Sequence, residues 1–362
     1  NDTEGQGPTP DPNRPIDVRT PALDLDPVYG QGPHGTPEFY TPDGLFFRLG
    51  ANGNDLLRDA HGVALIGDPR NDDNGLIASI HLAFQKYHNT LMTRALNGID
   101  PNSLTQPQKD ALFAMVHNEV VAYYQGIVTH EFAEAITGKP IPSDEPPLTA
   151  VPIEFSGAVF RMGHSLVPNT IIVDHQGDTK NPTDPTLRQN GFIPYDLLFG
   201  PHAQHAAALD DKISDTMRTL LIPLSPTDPG QGDLIGGNAP NIGMGQIIDG
   251  VMHLDLVETN ILRGRELHLP SGEEYLAMLD HKPYHPATDG NTDLFVYILK
   301  EATPLGHLGR VGTDVVDRTI GGLIAADPYR YDNPAIFSKA QINTFRNATF
   351  EKLLHEIGTP GF

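Results

Sequence analysis

The sequence predicts a mainly α-helical fold with long loops and little β structure. Three observations carry this expectation. Apolar residues recur at helical spacing in several segments, Gly and Pro account for 36 and 33 of the 362 residues and concentrate between those segments, and few segments alternate as a half-buried strand would.

Residues 1–60 are rich in Pro, Gly and Asp and lack sustained periodicity, so they are expected as an extended arm with turns. From Leu76 the apolar positions Ile77, Ile80, Phe84, Tyr87 and Leu91 fall on one helical face, predicting a helix over 76–96. A second helix is expected from Thr105, with Pro107 in its first turn, to about Thr137, where Gly138 stops it. Further helices are expected over 153–164, 205–222, 250–265, 271–280, 292–302, 308–326 and 338–357. The connections 138–150, 174–193 and 223–248 are longer than most loops in compact domains and are of the kind that shapes a site. No internal repeat or composition shift divides the chain, so one helical domain over 61–362 carrying the arm 1–60 is expected.

Composition limits the function. The formal net charge of -22 weighs against a phosphate-backbone reader, which needs clustered Lys and Arg. With no cysteine in the sequence, disulfides, thiolate metal sites and thiolate haem ligation are all excluded. No apolar run approaches the roughly 18 residues of a membrane span. The first residue is Asn and no charged-then-apolar leader follows, so a signal or pro-segment is expected to have been removed or to lie outside this sequence.

Three local features bear chemistry. In the loop Thr20-Pro-Ala-Leu-Asp24-Leu-Asp26, carboxylates two apart with a hydroxyl and main-chain carbonyls can converge on a hard cation such as calcium; taken alone, a solvated turn explains the pattern as well. In Gly67-Asp-Pro-Arg70-Asn-Asp-Asp73-Asn, three acids complement the dipole of the helix that follows, and Arg70 is either solvated or set over an anion. In Phe160-Arg161-Met162-Gly163-His164, an imidazole ends an apolar segment and Gly163 permits close backbone approach. A hydrogen-bonded core histidine and an axial haem ligand both fit that pattern.

Together these segments resemble the animal-type haem peroxidases, especially their bacterial members. The likeness runs through loop 20–30, Gly67–Asn89 with His81 and His88-Asn89, Phe160–Val167, Asn260-Ile-Leu-Arg263-Gly-Arg265 with Leu269-Pro270, and Leu294–Gly322. The resemblance implies a helical haem peroxidase fold and the cofactors haem b and Ca2+. It makes His164 the proximal iron ligand and Asn260 the acceptor from its other ring nitrogen, which fixes the tautomer. It makes Arg70 the distal arginine that stabilises charge on the peroxide oxygen. Arg161 and Arg263 are suited to the haem propionates, and Phe160 to the haem surround. Thr20, Ala22 through its carbonyl, Asp24 and Asp26 match the family's calcium loop. Asp73 stands where relatives carry a glutamate that can be ester-linked to a haem methyl, and its shorter side chain puts such a link in question.

Two departures matter. Relatives carry a distal histidine upstream of the calcium loop, whereas the first histidine of this chain is His34, after it. A distal histidine supplied by a separate segment or second chain is therefore expected, with His34 as a weaker substitute and a catalytically silent haem- and calcium-binding scaffold as the alternative. Relatives that oxygenate fatty acids carry a tyrosine three positions before the proximal histidine; here that position is Arg161. This favours reduction of hydrogen peroxide with oxidation of a small one-electron donor or halide over a fatty-acid dioxygenase, although Tyr123, Tyr124 and Tyr195 remain open as radical sites. A secreted, extracellular or periplasmic location is expected, with no nucleic-acid partner.

Minor features stay bland. His130-Glu131-Phe-Ala-Glu134 is not a two-histidine zinc helix and is expected at the surface, as are His202 and His205 in a loop. Asn1-Asp-Thr3 and Asn347-Ala-Thr349 match the glycosylation sequon.

Overall fold

Helix Gly75–Leu96 is the element that the periodicity marks most clearly, and the structure contains it. The structure is a computed structural model that describes residues 21–72, 75–142, 144–182, 193–223, 246–248 and 251–359. The mainly helical expectation holds: strands among the described residues span two to four residues each. The chain gathers into two compact units. The first comprises 1–22, 132–169 and 205–327, the second 23–131, 170–204 and 328–362.

In the second unit, helix Gly75–Leu96 packs against Gln106–Gly126 and Phe350–Glu356. Its burial differs from the single apolar face expected. Ile77 and Ile80 are 41% and 39% exposed, while Ser79, His81, Gln85 and His88 are buried. Hydrogen bonds make this affordable: Ser79 Oγ donates to the Gly75 carbonyl, and His88 is engaged at both ring nitrogens, by the Tyr29 hydroxyl at 3.0 Å and the Leu45 carbonyl at 2.9 Å. Because a carbonyl only accepts, Nε2 carries the hydrogen and Nδ1 accepts from the phenol. An aromatic cluster of Tyr29, Tyr40, Phe47, Phe113 and His117 closes around this imidazole. The described part of the arm thus supplies core, with Val28, Tyr29, Phe39, Tyr40, Leu45 and Phe47 all buried.

Burial lowers His88 from its ordinary 6.5 to about 4, and lowers His81 to about 3. Both folded values lie below the unfolded one, so between pH 6.5 and 4 the unfolded chain binds more protons than the folded one. The stability these two groups contribute is present in full above about 6.5 and is lost as pH falls, by up to about 1.4 kcal/mol per pH unit for each. The urea midpoint is expected to drop steadily between pH 6.5 and 4, and less steeply for His88→Gln. An unchanged slope in that variant would count against a neutral buried His88.

Helix Gln106–Gly126 starts with a capping box between Thr105 and Gln108, carries Pro107 in its first turn, and continues as a π-helical turn Ile127–Phe132 and helix Ala133–Thr137. Gly138, at φ 75°, ends it as expected. His130 and Glu131 are not at the surface as expected. They are half-buried, with Tyr331 OH 3.4 Å from His130 Nε2 and the Phe350 N–H donating to Glu131 at 2.7 Å. His202, His205 and the sequon residue Asn347 are exposed.

In the first unit, helix Leu294–Ala302 buries Leu294, Phe295, Ile298, Leu299 and Ala302 on one face. It packs on the 3-10 segment Val159–Ser165 and on helix Leu256–Glu266. The helix expected over 153–164 is broken at Ala158 (φ -138°, ψ -63°) into Ile153–Gly157 and that 3-10 segment. The helix expected over 205–222 is largely corrected, and the one expected over 250–265 holds from Leu256 onward. Only Asp215–Arg218 is helical in the former, and Leu220–Pro223 pairs antiparallel with Val251–Leu254, which also pairs with Gln246–Ile248. Helix Leu256–Glu266 begins only after Asp255, whose carboxylate accepts from the N–H groups of Val257 and Glu258.

Candidate functional site

His164 lies near the end of the 3-10 segment Val159–Ser165, which is fastened at Met162, Val159 and Ser165 in the core of the first unit. Arg161 braces the segment, its Nε donating to the Ser156 carbonyl at 2.9 Å. The neighbouring helix Leu256–Glu266 brings in Asn260, buried, whose side-chain amide lies 2.8 Å from His164 Nδ1 across 96 residues of sequence. With the amide nitrogen toward the ring, Nδ1 accepts. Half a turn of the amide presents its oxygen, Nδ1 then donates, and the Nε2 lone pair is released, the tautomer that binds a metal.

Burial, reinforced by the positive charge of Arg161, lowers the His164 pKa from 6.5 to about 4. The ring is therefore neutral near pH 7, as ligation requires. Nε2 has no hydrogen-bond partner among the described residues, and none of them other than the adjoining residues comes within 4 Å of where a Cβ on Gly163 would stand. A neutral imidazole, held at one nitrogen and without a hydrogen-bond partner at the other, fits a haem iron ligand. The reading of Gly163 is revised: neither its φ nor a close neighbour among the described residues demands glycine. Arg263 stands one helical turn after Asn260, on the same face. Phe160 is 54% exposed and stacks on Phe155 at a centroid distance of 5.1 Å, rather than packing into the core.

Arg70 belongs to the second unit, in the 3-10 turn Pro69–Asp72 ahead of helix Gly75–Leu96. Two of the acids there are ion-paired as well as close to the helix start. Asp68 pairs with Arg70, and Asp72 takes Arg58 bidentately at 2.6 and 2.9 Å. The residues Arg58, Asp68, Asn71 and Gln85, which build this corner, carried no signal beyond the motif Gly67–Asn74, because their partners depend on tertiary placement. Asp73 lies outside the described residues.

Of the expected calcium set, Thr20 lies outside the described residues, and Ala22 precedes the second unit in the chain. Asp24 and Asp26 sit in one turn, with Asp24 Oδ1 accepting from the Asp26 N–H at 3.2 Å and Leu25 in the left-handed region at φ 57°. Gln125 fastens the turn by donating to the Leu23 carbonyl. Burial, and then the charges of Asp24 and Asp26, push the Tyr124 phenol up to about 12. Among the described residues no three His, Asp or Glu side chains gather in a metal-binding arrangement. His34 is exposed and bound to Asp110 at 2.9 Å, and the phenols of Tyr123 and Tyr195 donate to the main-chain carbonyls of Thr349 and Ser79.

The helical architecture and the histidine-asparagine pair are what a helical haem protein would require. The chain belongs to the animal haem peroxidase family, whose model matches residues 2–359. Chorion peroxidase of Drosophila melanogaster is 24% identical over 328 residues, covering 80% of this chain and 38% of that protein. Dual oxidase of the same organism is 28% identical over 328 residues, covering 82% of this chain and 19% of that protein. The chain thus spans well under half the length of these curated relatives. Among solved structures, peroxidase A of Dictyostelium discoideum matches with a TM-score of 0.62 at 17% identity, over 93% of this chain and 69% of that one. Fatty acid alpha-dioxygenase of Oryza sativa matches with a TM-score of 0.65 at 18% identity, over 94% and 64%. These two likenesses establish the fold and do not separate the two reactions. No helix among the described residues is long and apolar enough to cross a membrane.

Proposed function

We propose that the chain is the haem-binding part of a peroxidase that reduces hydrogen peroxide and oxidises a small one-electron donor or halide. The observation that carries the reading is the 2.8 Å contact of Asn260 with His164 Nδ1, which leaves Nε2 for iron. Bound haem supplies the redox chemistry. His164 holds the iron, Asn260 retains the Nδ1 proton and raises the basicity of the ligand, and Arg161 and Arg263 pair with the propionates. Arg70 offers guanidinium N–H groups to charge developing on the peroxide oxygen.

Arg161 rather than a tyrosine three positions before His164 weighs against the fatty-acid dioxygenase reading. The general acid-base group is assigned to a segment or second chain beyond these residues. His81 and His88 are buried, neutral and already hydrogen-bonded, and His34 is exposed on Asp110. Calcium held through Thr20, Ala22, Asp24 and Asp26, and secretion, belong to the same proposal.

The test uses the protein isolated with every chain that accompanies it. A Soret band together with peroxide-dependent oxidation of a phenolic donor supports the peroxidase. Oxygen uptake with an unsaturated fatty acid instead supports the dioxygenase, a peroxide-inert Soret band supports a scaffold, and absence of haem refutes all three.

A further inference from the structure

We propose that Asp68 is the positioning residue of Arg70, holding the guanidinium side-on so that one nitrogen stays turned outward for a substrate oxygen. The inference rests on the reading of Arg70 given above and concerns how that side chain is aimed.

The geometry is built from the turn itself. Arg70 Nε lies 3.1 and 3.2 Å from the two oxygens of Asp68, and Nη2 lies 2.9 Å from Oδ2. The same carboxylate accepts the Arg70 main-chain N–H at 3.0 Å. The backbone and the side chain of Arg70 are thus both referred to one group. Nη1 makes no hydrogen bond among the described residues, and the Arg70 side chain is about a quarter exposed whereas that of Asp68 is buried. A side-on pair occupies one edge of the planar fork and leaves the other edge available, a division that a lysine could not make.

The turn that carries this pair is fastened on several sides. The Asn71 N–H donates to the Asp68 carbonyl, closing the turn, and the Asn71 side chain meets His81 Nδ1 at 3.1 Å. Arg58 neutralises Asp72, so the neighbouring carboxylate does not compete for Arg70. Upstream, the Gly67 N–H donates to the Pro27 carbonyl, and a Cβ on Gly67 would stand 2.7 Å from the Asp26 carbonyl oxygen, so residue 67 is pressed against that loop.

Asp68 also lowers the net positive charge offered to a ligand. Orientation offsets this loss because an unheld arginine would have to surrender its rotamer freedom during the reaction, and catalytic groups work when fixed in advance.

The experiment is a double-mutant cycle on the holoprotein with its accompanying chains, reading the second-order rate constant for peroxide by stopped flow. Asp68→Asn is expected to slow the reaction about tenfold, Arg70→Ala by more, and the double variant no further than Arg70→Ala. Asp68→Glu, which keeps the carboxylate, is expected to recover part of the loss. A readout independent of haem is the Arg70 Nε–H resonance of labelled protein, slow to exchange in the parent and fast in Asp68→Asn. If Asp68→Asn slows the Arg70→Ala background by the same factor, or leaves the Nε–H protected, Asp68 acts on stability and not through Arg70. If Arg70→Ala is itself without effect, the reading of Arg70 fails first, and the inference with it.

Discussion

Replacing His164 with alanine is expected to remove the Soret band from the isolated protein and to reduce peroxide-dependent turnover by at least about a thousandfold, equivalent to about 4 kcal/mol at 1.36 kcal/mol per decade. The reason is local. His164 is the imidazole that the first unit places against Asn260, and an alanine leaves Asn260 buried with no ring to engage. A graded companion separates ligand from support: Asn260→Leu keeps the imidazole but removes the group that fixes its tautomer, for which a loss of about 10–100-fold in haem affinity or activity is expected. Added imidazole should restore part of the Soret band to His164→Ala and none to Asn260→Leu. A full Soret band and parental turnover in His164→Ala would refute the assignment of the proximal side.

What could be read in the sequence, and what could not, follows the range of the interactions. Local signals served well: Pro107 and Gly138 mark both ends of the long second helix, and spacing alone finds Gly75–Leu96. Periodicity did not foresee that this helix would bury Ser79, His81, Gln85 and His88 while exposing Ile77 and Ile80. The partners that make those polar residues affordable include the Leu45 carbonyl, 43 residues from His88. The strand Leu220–Pro223 escaped for the same reason, since its pairing with Val251–Leu254 is set by chain that is distant in sequence. In the site, His164 was visible as a motif and Asn260 only through family resemblance. No local rule says that Asp68 takes Arg70 and Asp72 takes Arg58, so these ion pairs are not legible in Gly67–Asn74.

The distal side yields the second large effect. Arg70→Ala is expected to lower the second-order rate constant with peroxide by about 10²–10³-fold, or about 2.7–4 kcal/mol, while haem content stays at the parental level. The expectation rests on an arginine fastened along one edge of its fork and open along the other, where donors already in place need no rearrangement as charge develops. Arg70→Lys keeps the charge but replaces the planar fork with a single ammonium group, so its rate should fall between those of the parent and Arg70→Ala. Stopped-flow traces followed at the Soret maximum, normalised to bound haem, measure all three. Should Arg70→Ala lose rate only in proportion to lost haem, the guanidinium would be a structural partner of Asp68. If the rate falls at full haem content and Arg70→Lys recovers most of it, charge rather than fork geometry stabilises the peroxide oxygen, and the side-on hold by Asp68 becomes secondary.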